Sequence, residues 1–149
     1  MKFSHNIKFF KDLDPSELYA ILRLRNEVFV VEQHCVFQDA DNKDIYCHHL
    51  MLYDHKQLIA YARLVPPGIS YNEMSVGRVV TAKEVRKKGA GKELMTLAVQ
   101  YCRKIFGTGP IRIGAQHYLK DFYSEIGFTP TGDIYDEDGI DHIEMIMYN

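Results

Sequence analysis

The sequence predicts an α/β or α+β fold with three layers, in which a mixed, mostly antiparallel sheet carries helices on both faces. Two observations support this class. In the middle of the chain, strand-like, helix-like and strand-like segments follow one another at about residues 74–81, 92–106 and 111–115, and such a unit requires a right-handed crossover between parallel strands. Hairpin-like segments on either side of this unit make the sheet mixed rather than purely parallel.

The bulk properties narrow the class of protein. A length of 149 residues favours one domain, spanning residues 1–149, with a single core. A formal net charge of -2 gives no electrostatic footprint for nucleic acid or an anionic membrane surface. No stretch predicts a signal peptide or a membrane span. The three cysteines form no disulfide framework, so we expect a soluble, cytoplasmic protein.

The first clear element is a helix that begins at Pro15. Asp14 suits the N-cap, Pro15 suits the first helical position, and Glu17 completes a capping box. The apolar residues that follow fall roughly at helical spacing and are Leu18, Ile21, Leu22, Val28 and Phe29. We therefore expect one face of this helix to be buried.

Strands and helices alternate through the rest of the chain. Residues 49–53 and 58–64 are strand-like and are joined by the polar segment 54–57, which predicts a hairpin. Prolines at 66 and 67 end the second strand, because proline cannot donate to the ladder. The remaining predicted elements are a strand at 74–81, a helix from about 89–92 to 106, a strand at 111–115, a short helix at 119–126, and strands near Ile134 and at 143–147. An edge strand at 143–147 could pair across a homodimer.

The segment from Arg86 to Lys92 lies between a predicted strand and the long helix. The first turn of a helix has backbone N–H groups without internal partners, and the helix dipole favours an anion there. Gly89 and Gly91 remove Cβ atoms that would keep a phosphate from these amides. Cations are unfavourable at this end of a helix, yet the segment contains four: Arg86, Lys87, Lys88 and Lys92. We interpret it as a loop that binds a phosphate-bearing ligand.

Other phosphate-binding loops fit this segment poorly. A Walker A loop needs glycine at Arg86 and serine or threonine after Lys92, where Glu93 stands. The three-glycine dinucleotide pattern is absent as well. A solvated basic turn that begins an amphipathic helix is the alternative interpretation.

Two motifs in the expected order resemble those of the GNAT acetyltransferase superfamily. Arg-Lys-Lys-Gly-Ala-Gly at 86–91 matches its signature, Arg/Gln-x-x-Gly-x-Gly/Ala. Phe-Tyr-Ser-Glu-Ile-Gly-Phe at 122–128 looks like its Phe-Tyr-x-x-x-Gly-Phe segment. The ElaA-like branch of the superfamily is similar over nearly the whole chain, in the segments 24–33, 60–64, 77–79, 114–116 and 138–142.

This resemblance implies a GNAT fold, in which two central parallel strands splay apart to admit the pantetheine arm of acetyl-CoA. It also implies acetyl transfer from acetyl-CoA to an amine by direct attack in a ternary complex. Gln116 stands where many members carry asparagine for the pantetheine arm. The residues implied in cofactor binding are Val79, Val80 and Thr81 for the pantetheine and thioester, Arg86, Lys87, Lys88, Gly89, Ala90, Gly91 and Lys92 for the pyrophosphate, and Gln116, Phe122 and Tyr123.

Acetyl transfer needs an acid and is helped by a base. Tyr123 matches the tyrosine that protonates the leaving thiolate in many relatives. The acceptor amine must be neutral, and a lysine-like amine costs roughly 4–5 kcal/mol to deprotonate at about pH 7. The candidate bases are Glu32, which we favour, Glu73, which precedes the central strand where some relatives carry a base, His117 and His142.

Several alternatives stay open at this point. A non-catalytic acyl-CoA sensor would keep the loop without turnover, and a phosphate-binding protein of unrelated fold would not distinguish CoA from simple nucleotides. Cys35, Cys47 and Cys102 lie outside both motifs, so we expect no acetyl-cysteine intermediate.

No metal site is expected either, because the histidines and cysteines lack ligand spacing. The acidic segments 39–41 and 136–139 are interpreted as solvated loops whose charge could attract a cationic acceptor. The acceptor can be a small amine, an amino sugar, a peptide N-terminus or a lysine side chain.

Overall fold

The computed structural model describes residues 3–148, so residues 1, 2 and 149 of the predicted domain lie outside the described part. The prediction of an α/β class with a mixed sheet and helices is confirmed. The elements in chain order are β1 (Ser4–Phe9), α1 (Pro15–Arg25), a π-helical segment (Asn26–Glu32), β2 (His48–Asp54), β3 (Gln57–Val65), β4 (Ser75–Thr81), α2 (Ala90–Phe106), β5 (Ile111–Gln116), α3 (Lys120–Ile126), β6 (Thr129–Pro130), β7 (Tyr135–Glu137) and β8 (Ile140–Met147).

Helix α1 begins as its sequence predicts. The Asp14 carboxylate accepts a hydrogen bond from the Glu17 backbone N–H at 2.8 Å, and the Glu17 side chain accepts one from the Asp14 N–H at 2.9 Å. The helix continues directly into the π-helical segment, which sequence periodicity did not predict. This extension carries Glu32 and, just beyond it, Gln33 out over the sheet.

Two four-stranded groups make up the sheet. Strands β1, β2, β3 and β4 form an antiparallel meander, and β8 pairs with β5, β6 and β7. Seven consecutive residues of β3, from Ile59 to Val65, are buried, which requires cover on both faces of that strand. Helices α1 and α2 supply the cover, so the layers are helix, sheet and helix.

Strands β4 and β5 meet at one place only within residues 3–148. A single parallel bridge joins Met74 to Ile111, and the Arg112 N–H donates to the Met74 carbonyl at 3.0 Å. Beyond this bridge the two strands belong to different sheets. The predicted splay of the central parallel strands is therefore present.

Two strand predictions need correction. Strand β1 pairs with β2 along Ser4–Phe9, although sequence analysis predicted no strand there. It is an edge strand with an exposed polar first half, so its alternation of apolar residues is too short to stand out. The predicted dimer edge at 143–147 is also wrong, because β8 has β5 on one side and β6 and β7 on the other.

In the part of the chain that the structure describes, no helix has the length and apolar character needed to cross a membrane.

Candidate active site

A cleft of about 660 Å³ opens where β4 and β5 diverge. Its walls come from elements far apart in sequence: the end of the π-helical segment, the two diverging strands, the start of α2, helix α3 and the β7–β8 turn. The predicted site residues that line it are Glu32, Val79, Val80, Thr81, Arg86, Gly91, Gln116, Phe122 and Tyr123. Strand divergence thus brings both sequence motifs onto one cavity.

Strand β4 carries a bulge on its cleft side. Tyr61 pairs with Val80 and Arg63 pairs with Gly77, so β4 uses one more residue than β3 between these pairs. Arg78 lies within the extra length and has a left-handed backbone, with φ of 48°. A bulge leaves backbone groups without ladder partners, and these groups lie beside Val79 on the cleft wall.

Helix α2 begins without a side-chain cap. Its N-cap is Gly89, with φ of 83°, and no side chain in residues 3–148 accepts from the first-turn amides. Lys87 also has a left-handed backbone, with φ of 67°. Alternation of this kind turns successive N–H groups toward one concavity, which suits an anion. The geometry therefore fits the predicted pyrophosphate site.

The lysines around this helix end are exposed and free of protein partners. Within residues 3–148, Lys87, Lys88 and Lys92 form neither an ion pair nor a side-chain hydrogen bond to an acid. Gly91 lies against the aromatic wall, since a Cβ there would meet the Phe122 ring at 3.4 Å. The loop thus offers amides and unpaired positive charge beside an aromatic surface.

Arg86, predicted to bind the pyrophosphate, is held by protein partners in this structure. Its guanidinium forms a two-pronged ion pair with Glu32 and also donates to the Thr81 carbonyl at 3.0 Å. The side chain therefore ties the loop to the π-helical segment and to the end of β4. Sequence analysis placed Arg86 directly on the cofactor, and the structure instead gives its charge a protein partner.

The same ion pair counts against Glu32 as a base. The hydrogen bond from Arg86 lowers the pKa of Glu32 below its usual value, and the charges of Arg86 and Lys83 act in the same direction. A carboxylate with a lowered pKa holds a proton poorly. Glu32 lines the cleft, but its ion pair with Arg86 gives it a structural role, which is to hold the loop.

Glu73 lies outside the cleft-lining set. Both of its carboxylate oxygens accept from Arg112 at 3.0 Å, and this hydrogen bonding lowers the pKa of Glu73. Glu73 therefore pairs with Arg112, near the start of β5, and does not have the geometry expected of a base. His117, in the turn after β5, also does not line the cleft.

Gln116 lies on the cleft wall at the end of β5. Its side-chain amide exchanges two hydrogen bonds with the amide of Gln33, at 3.2 and 3.3 Å. Gln33 directly follows Glu32, the last residue of the π-helical segment. Glu32 contacts Arg86 on one wall of the cleft, and Gln33 contacts Gln116 on the other. Gln33 was not predicted as a site residue, and the amide pair uses one N–H and one oxygen lone pair of Gln116.

Tyr123 projects from the short helix α3 into the cleft and is only 5% exposed. Edge contacts with Phe122 and Phe128 hold its ring, at 5.1 and 6.1 Å between centroids. Burial raises the pKa of Tyr123 well above its usual value. Its hydroxyl is therefore protonated at neutral pH and available as a donor.

A cluster of arginines and aspartates underlies the cleft, and sequence analysis misjudged it. Segment 39–41 was interpreted as a solvated acidic loop, but Asp39 is buried and faces Arg25 and Arg78. The whole cluster consists of Arg25, Arg63, Arg78, Asp39, Asp41 and Asp44.

A signal for this cluster was present in the sequence. Arg63 interrupts the apolar run of β3, and Arg25 follows Ile21 by four residues on the buried face of α1. A charged residue at a core position requires a buried counter-charge, so the two arginines called for acids nearby.

The cysteines divide into two kinds. Cys47 and Cys102 are buried away from the cleft, and burial raises the pKa of the Cys47 thiol to about 11 and that of Cys102 to about 12. Cys35 does line the cleft, where its thiol donates to the Asp138 carbonyl at 3.1 Å.

Comparisons with known proteins agree with this geometry. Residues 15–149 match the family described as Acetyltransferase (GNAT) domain. A protein of Synechocystis is 43% identical over 139 residues, which cover 93% of this chain and 90% of that protein. The ElaA protein of Escherichia coli is 38% identical over 136 residues, covering 90% of this chain and 89% of ElaA.

Two crystal structures share the fold throughout. The structure of E. coli ElaA superposes with a TM-score of 0.92 at 34% identity, over 98% of this chain and 99% of that one. The structure of an acyl-CoA N-acyltransferase from Pseudomonas aeruginosa gives a TM-score of 0.91 at 38% identity, with the same coverage.

Proposed function

The chain belongs to the GNAT acetyltransferase family, in its ElaA-like branch, and is an acyltransferase; from this premise we propose that it transfers the acetyl group of acetyl-CoA to an amine. Transfer proceeds by direct attack of the amine while both substrates are bound. The acceptor class remains a small amine, an amino sugar or a peptide or protein amine.

One observation carries the proposal: the uncapped start of α2, the bulge of β4 and the Tyr123 side chain open onto the same cleft. The α2 amides and the lysines beside them suit a pyrophosphate. The splayed strands provide a slot from that end of the cleft toward the bulge. A long substrate with a phosphate group at one end and a thioester at the other matches this sequence of features.

The bulge of β4 suits the reacting carbonyl. Attack on a thioester places negative charge on the carbonyl oxygen, and fixed backbone N–H donors stabilise such charge because they need no reorganisation. The unladdered backbone beside Val79 supplies donors of this kind. Its position on a central strand keeps it rigid.

Tyr123 suits the departing sulfur. Burial raises the pKa of Tyr123, which makes the phenol a weaker acid but keeps it protonated and able to donate a hydrogen bond to the sulfur. A thiolate that forms next to the hydroxyl receives a hydrogen bond and then a proton. The Phe122 and Phe128 rings keep water from the same region.

The proposed compartment is the cytoplasm. All three cysteines are free and buried in the structure, which accords with a reducing environment.

The experiment that tests this function is acetyl-CoA turnover, followed as thiol release, against a panel of primary amines and peptides. Tyr123→Phe removes the proton donor and keeps the ring, so kcat should fall by about 10²–10⁴-fold while CoA affinity changes little. Tyr19→Phe is the matched control, since Tyr19 is 73% exposed and lies outside the cleft.

Each outcome decides a separate part of the proposal. Acceptor-dependent thiol release that falls in Tyr123→Phe and not in Tyr19→Phe supports it. CoA binding without acceptor-dependent release from any amine would contradict amine acetylation. Failure to bind CoA would show that the α2 loop serves another ligand.

A further inference from the structure

Resting on the function proposed above, we propose that His142 is the general base that takes the proton of the acceptor amine, and that Glu137 positions it. Nothing in the sequence distinguished His142 from the other candidate bases. Its surroundings in the structure do.

The β7–β8 hairpin brings these two side chains together. Asp138 and Gly139 connect the strands and have φ of 54° and 82°, the conformation of the tight turn favoured by an Asp-Gly pair. Tyr135 pairs with His142 and Glu137 pairs with Ile140, so these four side chains share one face of the hairpin. Sequence analysis treated this turn as a solvated acidic loop and missed the hairpin.

That face forms part of the cleft. Glu137, Ile140 and His142 all line the cleft. His142 on β8 pairs with Gln116 on β5, which is also a cleft residue. The acidic residues Glu137 and Asp138 stand at the rim, where they attract an amine that arrives as a cation. The acceptor side of the cleft is therefore the β8 side, opposite the bulge of β4.

The hydrogen bonds of His142 leave one ring nitrogen able to accept a proton. Nδ1 lies 2.8 Å from the Ile140 carbonyl oxygen. A carbonyl only accepts, so Nδ1 carries the hydrogen in the neutral ring and Nε2 keeps its lone pair. His142 is 6% exposed, and its Nε2 lies 3.5 Å from a carboxylate oxygen of Glu137. That carboxylate stabilises the imidazolium once Nε2 takes a proton.

Two tyrosines hold the His142 ring in place. The Tyr135 ring lies 5.8 Å from His142 between centroids. The hydroxyls of Tyr135 and Tyr71 converge over Gly114, where an added Cβ would stand 2.8 and 2.9 Å from them. Any larger residue at 114 would displace these hydroxyls, so glycine leaves room for the tyrosine pair, which holds Tyr135 beside the imidazole.

Two other acids that line the cleft, Glu32 and Asp41, are already engaged by arginines. Glu32 is paired with Arg86. Burial would raise the pKa of Asp41, but hydrogen bonds and charge from Arg63, with help from Lys43 and Arg78, lower it to about 2. Among the described cleft residues, His142 thus combines burial, a fixed tautomer and a carboxylate partner.

An acceptor that arrives as an ammonium ion first loses one proton to solvent, and the neutral amine then reacts. The neutral amine nitrogen bonds to the thioester carbonyl carbon, the carbon–sulfur bond breaks, and one N–H proton passes to Nε2 of His142. The leaving thiolate takes a proton from the Tyr123 hydroxyl. His142 then releases its proton to solvent and Tyr123 regains one, so one proton moves in net from amine to thiol.

The test measures kcat/KM for the amine as a function of pH, at saturating acetyl-CoA, with any primary amine that the wild type acetylates. His142→Gln should lower kcat/KM by about 10²–10⁴-fold and abolish the acid limb of the profile, with CoA affinity and thermal stability retained. Glu137→Gln should lower kcat/KM by a smaller factor than His142→Gln, because the ring loses the carboxylate that positions it. His117→Gln is the matched control and keeps the acid limb.

Titratable groups on the elements packed around His142 also contribute to such a profile. They are Tyr135 and Glu137 on β7, Asp138 in the turn, Asp141 on β8, His117 after β5, and Tyr71 and Lys43 across the cleft. The Glu137 and His117 variants separate the nearest of these from His142.

Retention of the acid limb and of turnover in His142→Gln would overturn the inference while leaving acetyl transfer intact. Absence of turnover with every amine would count against the proposed function instead. In that case nitrogen-15 NMR of the histidines still decides the tautomer: hydrogen on Nδ1 supports the assignment, and hydrogen on Nε2 of the neutral ring overturns it.

Discussion

Helices α1 and α2 begin in opposite ways. At the start of α1, the Asp14 side chain accepts from the Glu17 N–H, and Glu17 returns the bond. At the start of α2, the N-cap is Gly89, which has no side chain to offer, and Glu93 in the first turn is accompanied by the exposed Lys87, Lys88 and Lys92. The first helix satisfies its first-turn amides with its own side chains, whereas no N-cap side chain does so in the second. The contrast separates a capped helix start from an uncapped one.

Charged side chains show a similar contrast between paired and unpaired groups. Arg25 and Arg63 are buried and paired with aspartates from segment 39–44. The exposed lysines at the start of α2 have no such partners within residues 3–148. We expect loss of a paired charge to reduce stability and changes at the unpaired site to reduce CoA binding.

The largest effect is expected in the arginine cluster. Arg63→Met removes a buried arginine that pairs with the partly buried Asp41 and Asp44, which then depend on their second partners, Arg78 and Arg25. Such a change lowers the free energy of unfolding by about 3–5 kcal/mol. Chemical denaturation of the variant and the wild type measures the difference. A change below about 1 kcal/mol, the range of surface pairs, would show that water reaches the cluster.

Acid unfolding gives a second measurement of the same cluster. The pKa of Asp41 is about 2 in the folded protein against 3.8 for the free side chain. A lowered folded pKa contributes stability that is complete above the unfolded value and is lost as pH falls through this window. Asp41→Asn should flatten the stability profile between these two values, and an unchanged slope there would contradict the pairing.

An intermediate effect is expected when α2 is given its own cap. Gly89→Asp places a carboxylate at the helix start, in a left-handed conformation that Asp and Asn tolerate. No atom lies within 4 Å of the added Cβ, so the fold has room for it. Competition with the pyrophosphate should weaken CoA binding by about 2–3 kcal/mol, roughly 30–150-fold.

Gly89→Asn is the matched control for that change, since it has the same shape without the charge. Calorimetric titration with CoA should show a smaller loss for Asn than for Asp. Equal losses would mean that backbone conformation, and not charge, matters at Gly89.

The smallest effect is expected at the capped helix. Asp14→Ala removes the side-chain acceptor of α1 and should lower stability by about 1 kcal/mol, with no change in CoA affinity. Thermal denaturation and CoA titration on the same sample check both halves. A loss of CoA affinity in this variant would contradict the claim that only the start of α2 contributes to CoA binding.

Local patterns predicted much of this molecule. The capping box at Asp14 and Glu17 is present because its partners lie three residues apart, and the glycine loop before α2 has the predicted strand–loop–helix context. The order of the central strands followed from the crossover rule, and the two motifs lie on one cleft. These features depend on neighbours in sequence or on rules of chain connection.

The roles of single polar residues did not follow from local patterns. Glu32 was the favoured base and Glu73 an alternative, and each is held by an arginine, 54 and 39 residues away in sequence. His142 was one candidate among four until its register against β5 and β7 was known.

The sequence by itself determined the fold class, most of the helices and strands, and the loop that suits a phosphate, because these depend on spacing along the chain. Only the tertiary structure decided which charges are paired and which face the cleft. The partners of Arg86, Arg63 and His142 come from other elements, and a side chain's protonation and reach depend on those partners. Strand register and helix packing therefore assign the chemistry that residue type leaves open.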